Sequence, residues 1–429
     1  MILRPFSEHS FPCLKPELIL APPDPAGPPI NTRQWLSLAH SKLAALLPPG
    51  RPALITEQLV NSDGSPADVF AHFGIDRQRL PKLRGNWDGL AHTAQVSGDN
   101  KNQDATTPPW EGFEDVSIPG AGGVEICGRL GRVRKGTESA KADCLVILPG
   151  LLGDNNVLRT RDLGKALMAH GYHVLALELR GHGDTYRAQP EVRYTFGVQE
   201  TLDLLAVSRW LEQQPCVQET GLVGFCWGGN HALLASWIDG ATPDHPGIMK
   251  DVAPYYREIG GQRHYTRGVM AFSSVLRYEK LMTELDRPWS RFEHPAFAGL
   301  QNSVKTRMTH RNYPNPSTSL RKIIEDDLCS ASMSYPGFVE DATRFVCLME
   351  PPGSPGFNKL ATARTPTLIV HAANDPLAPA QDVADLISWT TNPMVAAIIL
   401  PGGGHIGFAA YATAFYFSLI LSFFSRVRK

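Results

Sequence analysis

From about residue 110 onward, short apolar runs alternate with stretches of helical period. Val124 to Leu130 alternates like an antiparallel strand with one wet face. Cys144 to Leu148 is a continuous apolar run that ends in Pro149-Gly150, and a helix through Leu163, Leu167 and Met168 follows and stops at Gly171. Val174 to Leu177 is the next strand, closed by the turn Arg180-Gly181-His182-Gly183. Val198, Leu202 and Leu205 then fall on one face of a helix running to Leu211. The run Gly221-Leu222-Val223-Gly224-Phe225 stops abruptly at Cys226, and a helix is expected from near Gly228. Val269 to Phe272, Thr367 to His371 and Val395 to Leu400 give three further strands. Strands alternating with helices predict a mostly parallel sheet with helices on both faces.

The rhythm fails in two places. Residues 1–108 read as an N-terminal extension of unknown role. In it, Pro-rich LAPPDPAGPPI is extended coil, Thr32 caps a helix carrying Leu36, Leu43 and Leu47 that Pro48 and Pro49 stop, a short helix passes through Val69 and Phe70, and SGDNKNQDATTPP is a polar linker. Between the two core parts, 109–275 and 363–429, residues 276–362 are rich in Arg, His, Tyr and Pro, with a helical patch at Leu320 to Asp327. So long an interruption between consecutive strands reads as a cap or lid. No internal repeat is present.

Hydrophobic residues make up 43% of the 429 positions, enough for a large core, and the net charge of −1 gives no reason to expect nucleic acid or an anionic surface as partner. Seven scattered cysteines without a C-x-x-C pair argue against a disulfide framework or a zinc site, so the expectation is a reduced, cytoplasmic setting. The first twenty residues lack the apolar stretch of a signal peptide. Ile406 to Ser425 carries no charge and is followed by Arg426, Arg428 and Lys429, a length that could span a bilayer. The favoured expectation is a helix over Ile406 to Phe424 packed against the sheet, with membrane contact through Phe423 and Phe424 left as the less favoured alternative.

Chemistry enters at Gly224-Phe225-Cys226-Trp227-Gly228-Gly229. A side chain between a strand and a helix sits on a sharp turn, and the glycines let the two elements approach. A lone Cys is usually a buried, inert hydrophobe; a Cys centred in this frame is a candidate nucleophile. Asp375 follows the strand Thr367 to His371, and His405 follows Gly402-Gly403-Gly404. Alone, an Asp before Pro is a turn residue and a loop His a surface residue. Together the three stand in the order nucleophile, acid, His.

The span Cys144 to Phe424 resembles the α/β-hydrolase superfamily. Pro149-Gly150-Leu151-Leu152-Gly153 stands where that fold keeps an oxyanion loop, and Arg180-Gly181-His182-Gly183-Asp184 resembles the turn after its fourth strand. The elbow G-F-C-W-G-G is similar to those of dienelactone hydrolases and polyhydroxyalkanoate synthases, both of which use Cys. The resemblance implies an α/β-hydrolase fold with a cap insertion and the N-terminal extension added. The expected roles are Cys226 as nucleophile, His405 as its base, Asp375 as the group orienting His405, and the backbone N–H groups of Trp227 and Leu151 (or Leu152) as oxyanion donors. No metal or organic cofactor is expected, and the partner is a small-molecule acyl substrate. Three functions compete: an ester or thioester hydrolase, an acyltransferase using the same thioester, and a non-catalytic binding module, against which the intact set of three argues. His182 reads as structural, Phe408, Tyr411 and Phe415 as core, and Trp227 as pocket lining or packing under the cap. Trp289, Phe292, Phe297 and Tyr335 suggest an aromatic pocket; substrate identity and oligomeric state are not readable.

Overall fold

The computed structural model describes residues 30–82, 85–97, 106–250, 252–259, 262–311, 319, 321–322, 337–350, 354 and 357–425. The Pro-rich N-terminal run up to Pro29, residues 98–105 of the polar linker, most of the patch Leu320 to Asp327, Tyr335, Cys13 and Cys329 lie outside the described residues.

The continuous apolar runs become strands because each is buried on both faces. Every residue of β9 (Gly268–Phe272), β10 (Thr367–Ala372) and β11 (Val395–Leu400) is buried, as parallel strands covered on two sides require. Beside them run β6 (Ala142–Leu148), β7 (His173–Leu177) and β8 (Val217–Phe225). Among the described residues they form one nine-stranded sheet of order β1-β11-β10-β9-β8-β6-β7-β3-β2. The six central strands pair in parallel. Antiparallel strands close both edges: β2 (Phe113–Pro119) and β3 (Glu125–Gly131) beside β7, and β1 (Leu54–Ile55) beside β11. A small hairpin, β4 (Arg134–Lys135) and β5 (Glu138–Ser139), stands apart. Sequence periodicity missed β1 and β2; β2 is an edge strand with only Ile118 fully buried, so its apolar signal is weak.

Period-2 alternation sorts the strands' side chains onto two cores. Val146, Leu148, Leu222, Ile369 and Ile399 face one layer, and Leu145, Ile147, Val223, Phe225 and Phe272 face the other. The helices are α1 (Thr32–Ala44), α2 (Val69–Phe73), α3 (Trp87–Ser97), α4 (Leu158–Ala169), α5 (Gly183–Ala188), α6 (Val198–Glu212), α7 (Trp227–Gly240), α8 (Val252–Ile259), α9 (Tyr278–Leu285), α10 (Pro295–His310), α11 (Phe338–Val346), α12 (Gln381–Trp389), α13 (Phe408–Tyr411) and α14 (Thr413–Ser425). Helices α9 to α11 all fall between β9 and β10.

Two boundaries differ from the sequence reading. Helix α1 is capped by Asn31, not Thr32: the Asn31 carboxamide accepts from Gln34 N at 3.0 Å, while the Gln34 side chain accepts from Asn31 N at 3.1 Å. This reciprocal pair satisfies two otherwise orphaned N–H groups, and the helix stops at Ala44, before Leu47. The C-terminal helix does not start at Ile406, which takes φ 57°. A short α13 precedes α14, whose residues from Phe415 to Ser425 are all buried. Trp35 of α1 meets Phe423 edge-on at 5.5 Å between ring centroids. No described helix is long and apolar enough to cross a membrane.

Candidate active site

Strand β8 delivers Cys226 to the N-terminus of α7 with φ 55° and ψ −117°. A non-glycine residue at positive φ is strained and persists where its surroundings hold it. They do so here. Cys226 N donates to Phe272 O of β9 at 2.9 Å, and Cys226 O accepts from Asn230 N at 3.1 Å. A Cβ on Gly228 would stand 2.2 Å from Pro149 O, and one on Gly224 would stand 2.3 Å from Gly228 O, so only glycine admits this crossing of strand and helix.

The same closeness lays the loop after β6 against the thiol. A Cβ on Gly150 would lie 2.8 Å from Cys226 Cβ and 3.5 Å from its Sγ. The next residue is half-buried Leu151, and Leu152 takes φ 68°. Among the described residues, the N–H groups of Leu151 and of Trp227, the first residue of α7, donate no hydrogen bond. The Trp227 side chain is fully buried between Phe196 and Tyr278, with centroids at 5.8 and 5.5 Å, so it packs beneath α9.

Asp375 and His405 meet. Asp375 ends the β10 turn, fully buried, and its oxygens lie 3.0 and 3.1 Å from His405 Nδ1. Leu377 N and Ala378 N donate to Asp375 Oδ1 at 2.8 and 3.0 Å. Burial alone would raise the Asp375 carboxyl; the charge and hydrogen bond of His405 outweigh it and hold the carboxyl below its usual value. Burial likewise lowers the His405 imidazole, but the charges of Asp375 and Cys226 and the hydrogen bond to Asp375 lift it to about 10. Among the described residues, Nε2 of His405 has no hydrogen-bond partner, so the influence of Cys226 on the ring is chiefly that of charge.

The loop holding His405 is braced by residues that sequence reasoning did not single out. His405 N donates to Thr93 Oγ1 at 2.8 Å, across 312 positions of chain. Gly404 N donates to Asn374 Oδ1 at 2.9 Å, while Asn86 Nδ2 donates to Asn374 O at 2.9 Å. Gly404 has φ +55°, and a Cβ there would lie 2.2 Å from Gly89 O. Helix α3, in the N-terminal segment, is thus built into the wall behind the imidazole. His371, one turn before Asp375, lies 3.6 Å from Asp375 Oδ2 and donates from Nε2 to Ala378 O at 2.8 Å. Burial pushes its pKa down, so it serves as a neutral brace for the turn. Its four-residue offset from Asp375 was the one available clue; Thr93 and Asn86 left none.

His182 is buried, donates from Nδ1 to Arg180 O at 2.7 Å, and is held neutral chiefly by burial. Phe408 and Phe415 are core and Tyr411 packs at its margin. Among the described residues, no group of three or more His, Cys, Asp or Glu is placed to hold a metal ion. A cavity of about 270 Å³ lies between α9, α10 and the turn 375–379. Its walls include Leu281, Trp289, Phe297, Pro376 and Leu377; Asp375 borders it, whereas Cys226 and His405 do not. Phe292, expected in an aromatic pocket, is instead 90% exposed.

Residues 143–236 match the family profile described as the alpha/beta hydrolase fold. Among curated proteins, none matches the chain. Solved structures similar to it include the esterase Pf2001 of Pyrococcus furiosus, 17% identical over 73% of this chain and 92% of that one, with a TM-score of 0.44. Others are the α/β hydrolase GrgF from Penicillium sp. sh18, 16% identical over 73% and 98%, TM-score 0.46, and the meta-cleavage product hydrolase CumD from Pseudomonas fluorescens IP01, 15% identical over 73% and 98%, TM-score 0.41. The matched span, the parallel sheet with its order of strands, and the sharp strand-to-helix turn at Cys226 make this chain an α/β-hydrolase-fold protein.

Proposed function

We propose that this protein cleaves carboxylic esters or thioesters through a covalent acyl-thioester on Cys226. The observation that supports it most is the buried, hydrogen-bonded Asp375–His405 pair, whose imidazole is raised by the charges of Asp375 and of Cys226 on its strained strand-to-helix turn. An imidazolium lifted to about 10 keeps its proton at neutral pH and stabilises a neighbouring thiolate. The thiolate attacks the acyl carbon, and the carbonyl electrons move onto oxygen. That oxyanion is met by the N–H groups of Trp227 and Leu151, both without protein partners among the described residues. As the tetrahedral intermediate collapses, His405 gives its proton to the departing alkoxide or thiolate and becomes the neutral base. It then takes a proton from water, whose oxygen attacks the thioester, and the cysteine leaves as thiolate beside the restored imidazolium. Asp375 holds the tautomer throughout and does not itself take the proton. The insertion carrying α9 to α11 acts as the cap over this centre.

A panel of p-nitrophenyl esters and acyl thioesters of graded length tests the reading. Wild type should turn over at least one, with iodoacetamide labelling Cys226 first and abolishing the activity. Hydrolysis that persists in Cys226→Ala would overturn it.

A further inference from the structure

Strand β9 ends at Phe272, whose carbonyl holds Cys226 N. The next residue, Ser273, takes φ 47°, a strained conformation for a non-glycine residue, and its Oγ accepts from Ile406 N at 3.2 Å, beside His405. This bend delivers Ser274 to the base of α7. A Cβ on Gly229 would lie 2.4 Å from Ser274 Oγ, so the hydroxyl is within a few ångströms of the helix that starts at the nucleophile. Ser274 is 1% exposed, and its Oγ has no hydrogen-bond partner among the described residues. A buried hydroxyl without a partner is costly, and natural sequences seldom keep one without use. Ser274 also borders the 270 Å³ cavity.

The charged groups around that cavity are paired. Arg77 pairs with Asp68 at 3.5 Å, Arg277 with Asp385 at 2.6 Å, Lys280 with Asp382 at 3.1 Å, and Glu284 with Arg287 at 3.4 Å. Asp375 is held by His405, and burial lowers His294 to about 4, leaving it neutral. The cavity therefore has apolar walls and balanced charge, with the partnerless hydroxyl of Ser274 buried at its edge against α7, a combination that suits an uncharged ligand.

We propose that this cavity is the subsite for an uncharged, largely apolar arm of the substrate, and that Ser274 donates a hydrogen bond to an oxygen carried on that arm. Ser274 is thus a specificity-determining residue whose hydroxyl is satisfied by substrate. The inference deepens the ester-cleaving reading and takes its substrates from it.

The test is Ser274→Ala with chain-matched pairs of esters: p-nitrophenyl octanoate against its ether-containing analogue, and octyl acetate against the acetate of an ether alcohol of equal length. One net hydrogen bond corresponds to about a threefold to tenfold change in binding. The expected result, in whichever series the arm belongs to, is a ratio of KM between the ether and the hydrocarbon member raised by that factor. Tm should hold or rise, because a partnerless buried hydroxyl has been removed. An unchanged ratio in both pairs, or a fall in Tm showing that the hydroxyl is bonded within the protein, would overturn the proposal. A second measurement separates it from the chemistry: in Cys226→Ala, 2-butoxyethyl acetate should raise Tm, and adding Ser274→Ala should abolish most of that rise. If wild type hydrolyses no ester, the proposed function fails, and this melting shift alone decides the subsite. A rise untouched by Ser274→Ala refutes it.

Discussion

Cys226, Asp375 and His405 were nominated by local spacing, and the fold brings the last two into direct hydrogen-bond contact at 3.0 Å. They were legible because each is announced by its neighbours: a glycine frame, a strand followed by a turn, three glycines before a His. Thr93 and Asn86 have no such neighbours, and their contacts with the loop of His405 and the turn before Asp375 exist only in the folded chain. At this scale the charge on Asp375 can be separated from its hydrogen bond. Asp375→Asn keeps the shape and removes the charge that lifts His405 towards 10. Turnover should fall by about 10⁴. The alkaline limb of kcat/KM, set in wild type by loss of the His405 proton, should move to lower pH. Steady-state rates across pH 6 to 11 check both, and an unmoved limb would show that the Asp375 charge does not govern the imidazole.

Elements impose their own demands on the site. The elbow needs glycine at 228 because Pro149 O occupies the space a methyl would take, 2.2 Å away. Gly228→Ala must push α7 away from the loop carrying Leu151. It should therefore lower kcat more than it raises KM, since the oxyanion contact is made only in the transition state. A kcat within threefold of wild type would refute the assignment of that loop. The C-terminal segment shows where sequence reading stops short. Its length and lack of charge fit either a membrane or a core, and composition does not distinguish two apolar solvents. The fold does: α14 lies buried against the sheet with Trp35 and Phe272 around it. Ile420, wholly buried there, gives the measure. Ile420→Ala should cost about 2–5 kcal/mol, read by urea unfolding. A helix held on by peripheral contacts would lose far less.

For the molecule as a whole, the N-terminal segment changes meaning. In sequence it is an addition before the sheet begins. In the fold its strand β1 pairs with β11, and its helix α3 reaches the loop of His405 through Thr93. The site is therefore assembled from both ends of the chain, and its ionisation is tied to global stability. Three groups set one part of that coupling. Burial raises the Glu178 carboxyl to about 7, against the pull of the backbone N–H groups of Asn155 and Asp184. Its contribution to stability is complete below the ordinary carboxylate value and is lost as pH rises to about 7. His405, raised to about 10, contributes fully below its ordinary value of 6.5, and that contribution is lost as pH climbs through 10. On the acid side, Asp375, held low, contributes above its ordinary value of 3.8 and loses that contribution as pH falls below it. Other buried groups have the opposite sign: His231, lowered to about 3, and His294, lowered to about 4, add stability as pH rises towards their ordinary 6.5, and Lys359, lowered to about 8, adds it as pH rises towards its ordinary 10.5, so a comparison of variants isolates each group. Melting temperatures from pH 4.5 to 10.5, compared between wild type and Asp375→Asn, read the contribution of His405. The advantage of wild type over Asp375→Asn should shrink as pH climbs through 10, while the part of the profile that belongs to Glu178 stays in place, because Glu178 is bonded elsewhere, to Asn155 N at 3.0 Å. A wild-type advantage in Tm over Asp375→Asn that does not shrink between pH 7 and 10 would contradict the raised imidazole, and with it the ion pair on which the proposed chemistry depends.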